Sequence, residues 1–238
     1  MSAANDDSAT VDFRVRAAAQ KRQRMRERLI TATIDAYGAA QPGVQPVIDD
    51  VIRAAEVSRG TSYKYFDSLD EVLAEIGQRT AAEMLSSFEQ LFDGITDGAV
   101  RTAAGPLMAM ARAAMEPRHA AFISRMDFID FMAGHDPRSL IVSRRLEDGH
   151  AQGRLKFNSL DAAIDLVIGV SVEGARRVLK TGALDATTIR ETATLVLLGL
   201  GLGLGRKAAE NAVGRAWLHL QTQAQARALH WWKPVSGL

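Results

Sequence analysis

The sequence predicts an all-α protein. Three observations carry this. Apolar residues recur every three or four positions along most of the 238 residues, the spacing of one helix face. No run alternates apolar and polar residues as a half-buried strand does. Breaks at Pro42-Gly43, Gly94, Glu116-Pro117, Gly134, Gly153, Gly182 and Gly205 leave helix-length segments between them. No internal period of a solenoid is evident.

The elements follow in order. The first dozen residues are small, polar and acidic, and are expected to be disordered; residues 1–20 together form a flexible basic arm. A helix is expected from about Val15 to Ala40, with Leu29, Thr33, Ala36, Tyr37 and Ala40 on one face, stopped by Pro42 and Gly43. Pro46 suits the first turn of the next helix, where its missing N–H is not needed, and Asp49 and Asp50 suit the positive end of that helix. Val47, Val51, Ile52 and Ala55 supply its apolar face. Ser58 is a good N-cap for a short helix from Arg59 to Tyr65. Ser68, with Glu71 three residues on, forms a capping box for a helix from Leu69 to about Leu91. The later candidates are Gly98–Met115, His119–Ala133, Pro137–Gln152, Leu160–Lys180, Ala186–Leu204 and a last helix from about Lys207 to Trp231.

Composition narrows the function classes. Hydrophobic residues make up 47% of the chain, ample for a packed core, and there is no cysteine. Disulfides, thiolate metal sites and thiol nucleophiles are therefore excluded. The longest strongly apolar run, Leu195 to Leu204, is about half a membrane span. With no leader-like apolar segment near the start, a cytoplasmic protein without a membrane partner is expected. No metal, cofactor or enzyme activity is expected either. The five histidines lack the spacing of a helical metal site, and neither a nucleophile elbow nor a P-loop occurs.

Net charge is only +1, from 29 basic and 28 acidic residues, but its distribution is uneven. Arg14, Arg16, Lys21, Arg22, Arg24, Arg26 and Arg28 crowd one stretch, against the single acid Glu27. Such a cluster is either an electrostatic contact surface or a solvated helix face. It leads into Ser58-Arg59-Gly60-Thr61-Ser62-Tyr63-Lys64-Tyr65-Phe66. Here donors, a methyl-bearing Thr and aromatic rings crowd a helix of about two turns, behind a supporting helix and a tight turn. That is what a helix-turn-helix reading unit requires.

The stretch from about Arg24 to Met84 resembles the N-terminal DNA-binding domain of the TetR family of transcriptional repressors. Tyr37 matches the aromatic that ends that family's first helix. Val51, Ala55, Val57, Ser58, Gly60, Tyr63 and Phe66 match its central pattern, and Ser68 and Leu73 its following helix. Three departures stand out. Glu56 replaces the turn glycine, which costs on the order of 1 kcal/mol if φ is positive there. Ile52 replaces a small residue, and Leu69 replaces a lysine that opens the fourth helix.

The resemblance implies a three-helix helix-turn-helix domain over residues 21–68. A connecting helix joins it to a helical effector-binding and dimerisation domain over 69–238. It implies double-stranded operator DNA, a small-molecule effector of unknown identity and a second copy of the chain as partners. A repressor, released from a palindromic site by an apolar effector, is the expected function. The expected DNA contacts are Arg14, Arg16, Arg22, Arg24, Ser58, Arg59, Gly60, Thr61, Ser62, Tyr63, Lys64 and Tyr65. A helical small-molecule binding protein with a vestigial DNA-binding domain is the alternative reading.

The larger part offers weaker signals. Met108, Met115, Phe122, Met126, Ile129 and Phe131 are large and adaptable, and either line an effector cavity or form ordinary core. Glu173 either meets a cationic ligand or pairs with Arg176 or Arg177. The run Leu197-Leu198-Gly199-Leu200-Gly201-Leu202-Gly203-Leu204-Gly205 reads as a close helix crossing with a partner copy, as intrachain packing or as a frayed helix end. Val167, Gly174, Leu195, Gly199, Leu202 and Gly203 are the expected interface residues.

Overall fold

A computed structural model describes residues 4–41, 44–125, 141–182, 185–203 and 205–229. Among the described residues the elements are ten helices and no strand. In chain order they are α1 Ala4–Ala39, α2 Ile48–Ala54, α3 Arg59–Ser62, α4 Leu69–Phe92 and α5 Gly98–Met115, then α6 Pro117–Arg125, α7 Ile141–Ala151, α8 Leu160–Thr181, α9 Ala186–Gly199 and α10 Gly205–Ala226. No helix among the described residues is long and apolar enough to cross a membrane.

The chain forms two compact units, Met1–Gln78 and Arg79–Leu238. The division falls inside α4. In the first unit Leu29, Ile30, Thr33, Tyr37, Val51, Ala55, Phe66, Val72 and Ile76 are buried together with Ser62. The helical spacing of these residues in α1, α2 and α4 gives each helix one apolar stripe, and the three stripes make the core. Arg26 bridges this unit. Its guanidinium donates to the Tyr65 carbonyl at 2.5 Å, pairs with Glu75 and lies 4.0 Å over the Phe66 ring.

In the second unit α5 is central and packs against α6, α7, α8, α9 and α10. Its start is capped by Asp97, whose carboxylate accepts from the Ala99 and Val100 N–H groups and also meets Arg154 and Arg215. Ala99, Ala103, Leu107, Met110 and Ala111 of α5 are buried, with Leu146, Ala193, Leu197, Val213 and Leu220 from its neighbours. The small residues on α5 let several helices approach it at once.

Four expectations are corrected. Helix α1 begins at Ala4, well inside the stretch expected to be disordered: nothing between Ala4 and Ala39 breaks a helix, and the polar sequence only denies it an apolar face. Pro42 and Gly43, the expected stop, lie outside the described residues. Pro46 stands before the N-cap Val47 rather than in the first turn of α2. The Glu71 carboxylate of the expected capping box accepts from Asp67 N–H, one residue earlier than the motif requires, while Ser68 does cap the Glu71 N–H. Finally, α9 stops at Gly199, so Leu200 to Gly203 are not helical as expected.

The physical reason for that last stop lies in the backbone. The Gly201 N–H bonds to the Leu198 carbonyl and the Leu202 N–H to the Leu197 carbonyl, both at 3.0 Å, with Gly201 at φ +68°. This is the paired Schellman closure of a helix C-terminus. Gly201 is required there twice over. Any Cβ on it would also meet the Lys156 carbonyl oxygen at 2.4 Å, and the Lys156 N–H in turn bonds to the Leu200 carbonyl at 2.8 Å. The glycine-leucine run therefore closes one helix and packs on its own chain.

Candidate nucleic-acid interface

The turn between α2 and α3 is built the same way. The Glu56 N–H bonds to the Arg53 carbonyl at 3.1 Å and the Val57 N–H to the Ile52 carbonyl at 3.2 Å. Glu56 takes the left-handed position, at φ +52°, that glycine usually fills. The conditional expectation of positive φ at Glu56 is thus met. Ile52 and Val57, at the ends of the longer bond, are half-buried and supply the apolar contact of such turns.

Ser58 then starts α3. Its hydroxyl accepts from the Thr61 N–H at 3.1 Å and lies 2.8 Å from the Thr61 hydroxyl. The helix is shorter than expected, Arg59–Ser62, and continues as a turn through Tyr65. Phe66 and Ser62 anchor it from below, each 2% exposed. That removes Ser62 from the expected outward set: its side chain belongs to the core of the first unit. Ser58, Arg59, Gly60, Tyr63 and Lys64 are exposed, and Thr61 and Tyr65 are half-buried.

Helix α1 lies alongside. The Arg22 guanidinium stands 5.8 Å from the Tyr65 ring centroid, so this part of the basic stretch borders α3. Arg16, Lys21, Arg22 and Arg24 are exposed. Arg14 lies within α1, but its side chain falls outside the described residues. Arg26 is spent on internal contacts. Arg28 pairs with Glu56 at 3.3 Å, both side chains being exposed. Sequence reasoning missed this division of the basic stretch between surface and interior. The signal was available, because Arg22 and Arg26 are four apart and share a helix face.

Arg59 is paired too, with Asp49 at 2.5 Å. The hydrogen bond that Arg59 donates to the Asp49 carboxylate, and that carboxylate's charge, raise the Arg59 pKa above its usual value. Asp50 accepts from the Val47 N–H at 3.0 Å. That bond, against slight desolvation and with help from Arg53, holds its carboxyl below the ordinary range. The surface thus presents Arg59, Thr61, Tyr63 and Lys64 on a two-helix platform, flanked by exposed α1 cations. It offers hydrogen-bond donors, a methyl group and a phenol to a polyanion.

The other expected sites fall in the second unit. Met108 and Phe122 are buried, at 4% and 0% exposure, and Met115 is half-buried against the core. Met126, Ile129 and Phe131 lie outside the described residues. Glu173 is on the exposed face of α8 and pairs with Arg176 at 3.5 Å, so it does not face the interior. Val167, Gly174 and Leu202 are buried within one chain. A Cβ on Gly174 would meet the Met110 sulfur at 2.6 Å, so Gly174 serves the contact of α8 with α5. Gly199 borders Leu166, and Gly203 has open space where a side chain would stand. Leu195 is 54% exposed, and Leu218 of α10 is 65% exposed. Among the described residues no cluster of His, Asp and Glu could hold a metal ion.

Comparison with known proteins places the fold. No protein-family model matches the sequence, and no curated protein does. Solved structures do. The chain is similar to RolR in complex with resorcinol, at TM-score 0.59 and 21% identity, over 83% of this chain and 96% of that one. It is similar to RolR without ligand, at TM-score 0.60 and 18% identity, over 80% and 96%. It is also similar to FadR, a fatty acid degradation regulator from Bacillus halodurans, at TM-score 0.60 and 19% identity, over 75% and 97%. The all-α fold, with its N-terminal helix-turn-helix unit, is one that these proteins share.

Proposed function

We propose that this protein is a sequence-specific DNA-binding transcriptional regulator. It acts as a cytoplasmic homodimer and represses from a palindromic operator until a small-molecule effector releases it. The observation that carries this reading is the α2–turn–α3 unit: a Schellman turn, a Ser58 cap, a buried Ser62/Phe66 anchor, exposed Arg59, Tyr63 and Lys64, and half-buried Thr61. The regulators of similar fold, one of them crystallised with resorcinol, support it. Arg59 and Thr61 read base edges, while Lys64, Tyr63, Arg16, Arg22 and Arg24 hold phosphates. The second copy docks through the α9–α10 pair, where Leu195 and Leu218 are the exposed large apolar residues.

The test is a salt titration of binding to operator DNA, with variants. Log affinity falls linearly with log salt, and Lys64→Ala lowers the magnitude of the slope by about 0.9 while weakening all sequences alike. Arg59→Ala costs about 1–3 kcal/mol and relaxes specificity at one base. Wild-type binding by both folded variants overturns the assignment. No salt-dependent binding at all favours the alternative, a helical ligand-binding protein with a vestigial reading unit. The pairing of Arg59 with Asp49 and of Arg28 with Glu56 is the observation on that side.

A further inference from the structure

Among the described residues of the larger unit, three buried polar atoms have no hydrogen-bond partner: Nε of Arg145, Nε of Arg101 and Oγ1 of Thr102. They come from two touching helices. A Cβ on Gly98 of α5 would lie 2.4 Å from the Cα of Gly149 of α7. The Gln152 side chain accepts from Gly98 N–H and donates to the Thr96 carbonyl, each at 2.9 Å. The start of α5 thus meets the end of α7. One turn along α5 from this crossing stands Thr102, and one turn back along α7 stands Arg145. The charge of Arg101, next to Thr102, acts on Arg145, which puts these two turns in one layer of the helix pair.

Charge in that layer does not balance. Arg101 has partners, the Ile95 carbonyl at 3.2 Å and the Glu89 carboxylate at 3.2 and 3.4 Å. Arg145 is only 6% exposed and rests on the Phe88 ring, and among the described residues no carboxylate pairs with it. Two guanidiniums thus share one carboxylate. Burial, then the charge of Arg101, push the Arg145 pKa down to about 8, with Glu89 opposing. Arginine keeps its proton, so among the described residues the layer holds two guanidinium charges against one carboxylate. A buried cation in that condition is costly unless something else pairs with it. The surroundings are apolar: Leu146 is buried beside Arg145, and Phe88 stacks on Phe92 with centroids 4.7 Å apart.

We propose that this layer of α5 and α7 binds the carboxylate of a small, largely apolar organic acid. The Arg145 guanidinium takes the carboxylate and the Thr102 hydroxyl donates to it. One uncompensated positive charge matches one carboxylate, and the Phe88–Phe92 pair suits an apolar tail. This deepens, and rests on, the reading of the larger unit as the effector-binding part.

The experiment uses the full chain. Thermal unfolding and calorimetric titration are run with acetate, benzoate and octanoate, and with benzamide and octanamide as uncharged counterparts. At least one acid raises the melting temperature in a saturable way, and the matching amide binds on the order of tenfold more weakly. Arg145→Met, which keeps the stem and removes the charge, folds without ligand and loses the acid response. Thr102→Val, a near-isosteric change, weakens the acid severalfold. The proposal is overturned if no acid stabilises the wild type, if acid and amide bind equally, or if both variants bind the acid as wild type does. DNA binding is followed on the same samples. A wild type that binds DNA but none of the acids sinks this inference alone, whereas a wild type that binds an acid but no DNA sinks only the regulator reading.

Discussion

The same backbone closure ends α2 in the smaller unit and α9 in the larger one, but the two turns stand in different surroundings. At Glu56 the left-handed residue points its side chain into solvent, with only exposed Arg28 for company. At Gly201 the backbone is pressed against the Lys156 carbonyl, which leaves no room for any side chain. The first turn is a local device, and its sequence is free to depart from glycine at a modest cost. The second is a local device locked into tertiary packing. Helix starts repeat the contrast. Ser58 caps α3 with partners three residues away, whereas Asp97 caps α5 and also holds Arg154 and Arg215 from distant parts of the chain.

The largest effect should come from Gly201→Ala. It forces a Cβ into a carbonyl oxygen at a positive φ, and should cost about 2–4 kcal/mol in denaturant unfolding of the larger unit. A loss under half a kcal/mol would mean that the Lys156 strand of chain yields easily, and the contrast with Glu56 would disappear.

Asp97→Ala should come next, losing a cap and two ion-pair partners at about 1–3 kcal/mol. Its pH dependence sharpens the point. Burial raises the Asp97 pKa, but Arg215, Arg154 and the Ala99 N–H outweigh it and hold the value below 3.8. A depressed carboxyl pKa gives stability that is present above 3.8 and lost as pH falls through the folded value. The gap between wild type and variant should therefore narrow below about pH 4. A gap independent of pH would assign the loss to helix capping without the arginines.

The smallest effect has the opposite sign. Glu56→Gly relieves a left-handed non-glycine residue and should stabilise the smaller unit by about 1 kcal/mol, less whatever the exposed Arg28 pair contributes. A destabilised variant would show that the Glu56–Arg28 pair outweighs backbone strain.

Much of this architecture was legible in the sequence because it is written in helix periodicity and end signals. Gly98–Met115 is recovered to the residue, and Ser58 and Ser68 cap as their chemistry demands. The outward face of α3 was legible for the same reason, since Phe66 anchors it from below while Arg59, Tyr63 and Lys64 stand exposed. What failed needed tertiary information. The glycine-leucine run is compatible with a helix crossing until Lys156, more than forty residues away, closes over Gly201. Ser62 looks like its polar neighbours until Phe66 shows which side of α3 is buried. Arg145 drew no attention, because the second of two adjacent arginines in a polar segment reads as surface. Only the packing of α5 on α7 reveals it as buried and uncompensated.

The Asp49–Arg59 contact has a consequence for how the reading head would discriminate. Arg59 carries its own tethered counter-ion, so engaging a base is an exchange of one partner for another. A phosphate or the paired acceptors of a guanine edge could each replace the carboxylate, since both take a guanidinium through two bonds. A base edge without two such acceptors could not. Arg59 over such a base would therefore forfeit a bond that a guanine restores, and the carboxylate would act as an internal competitor that makes the wrong complex less rewarding.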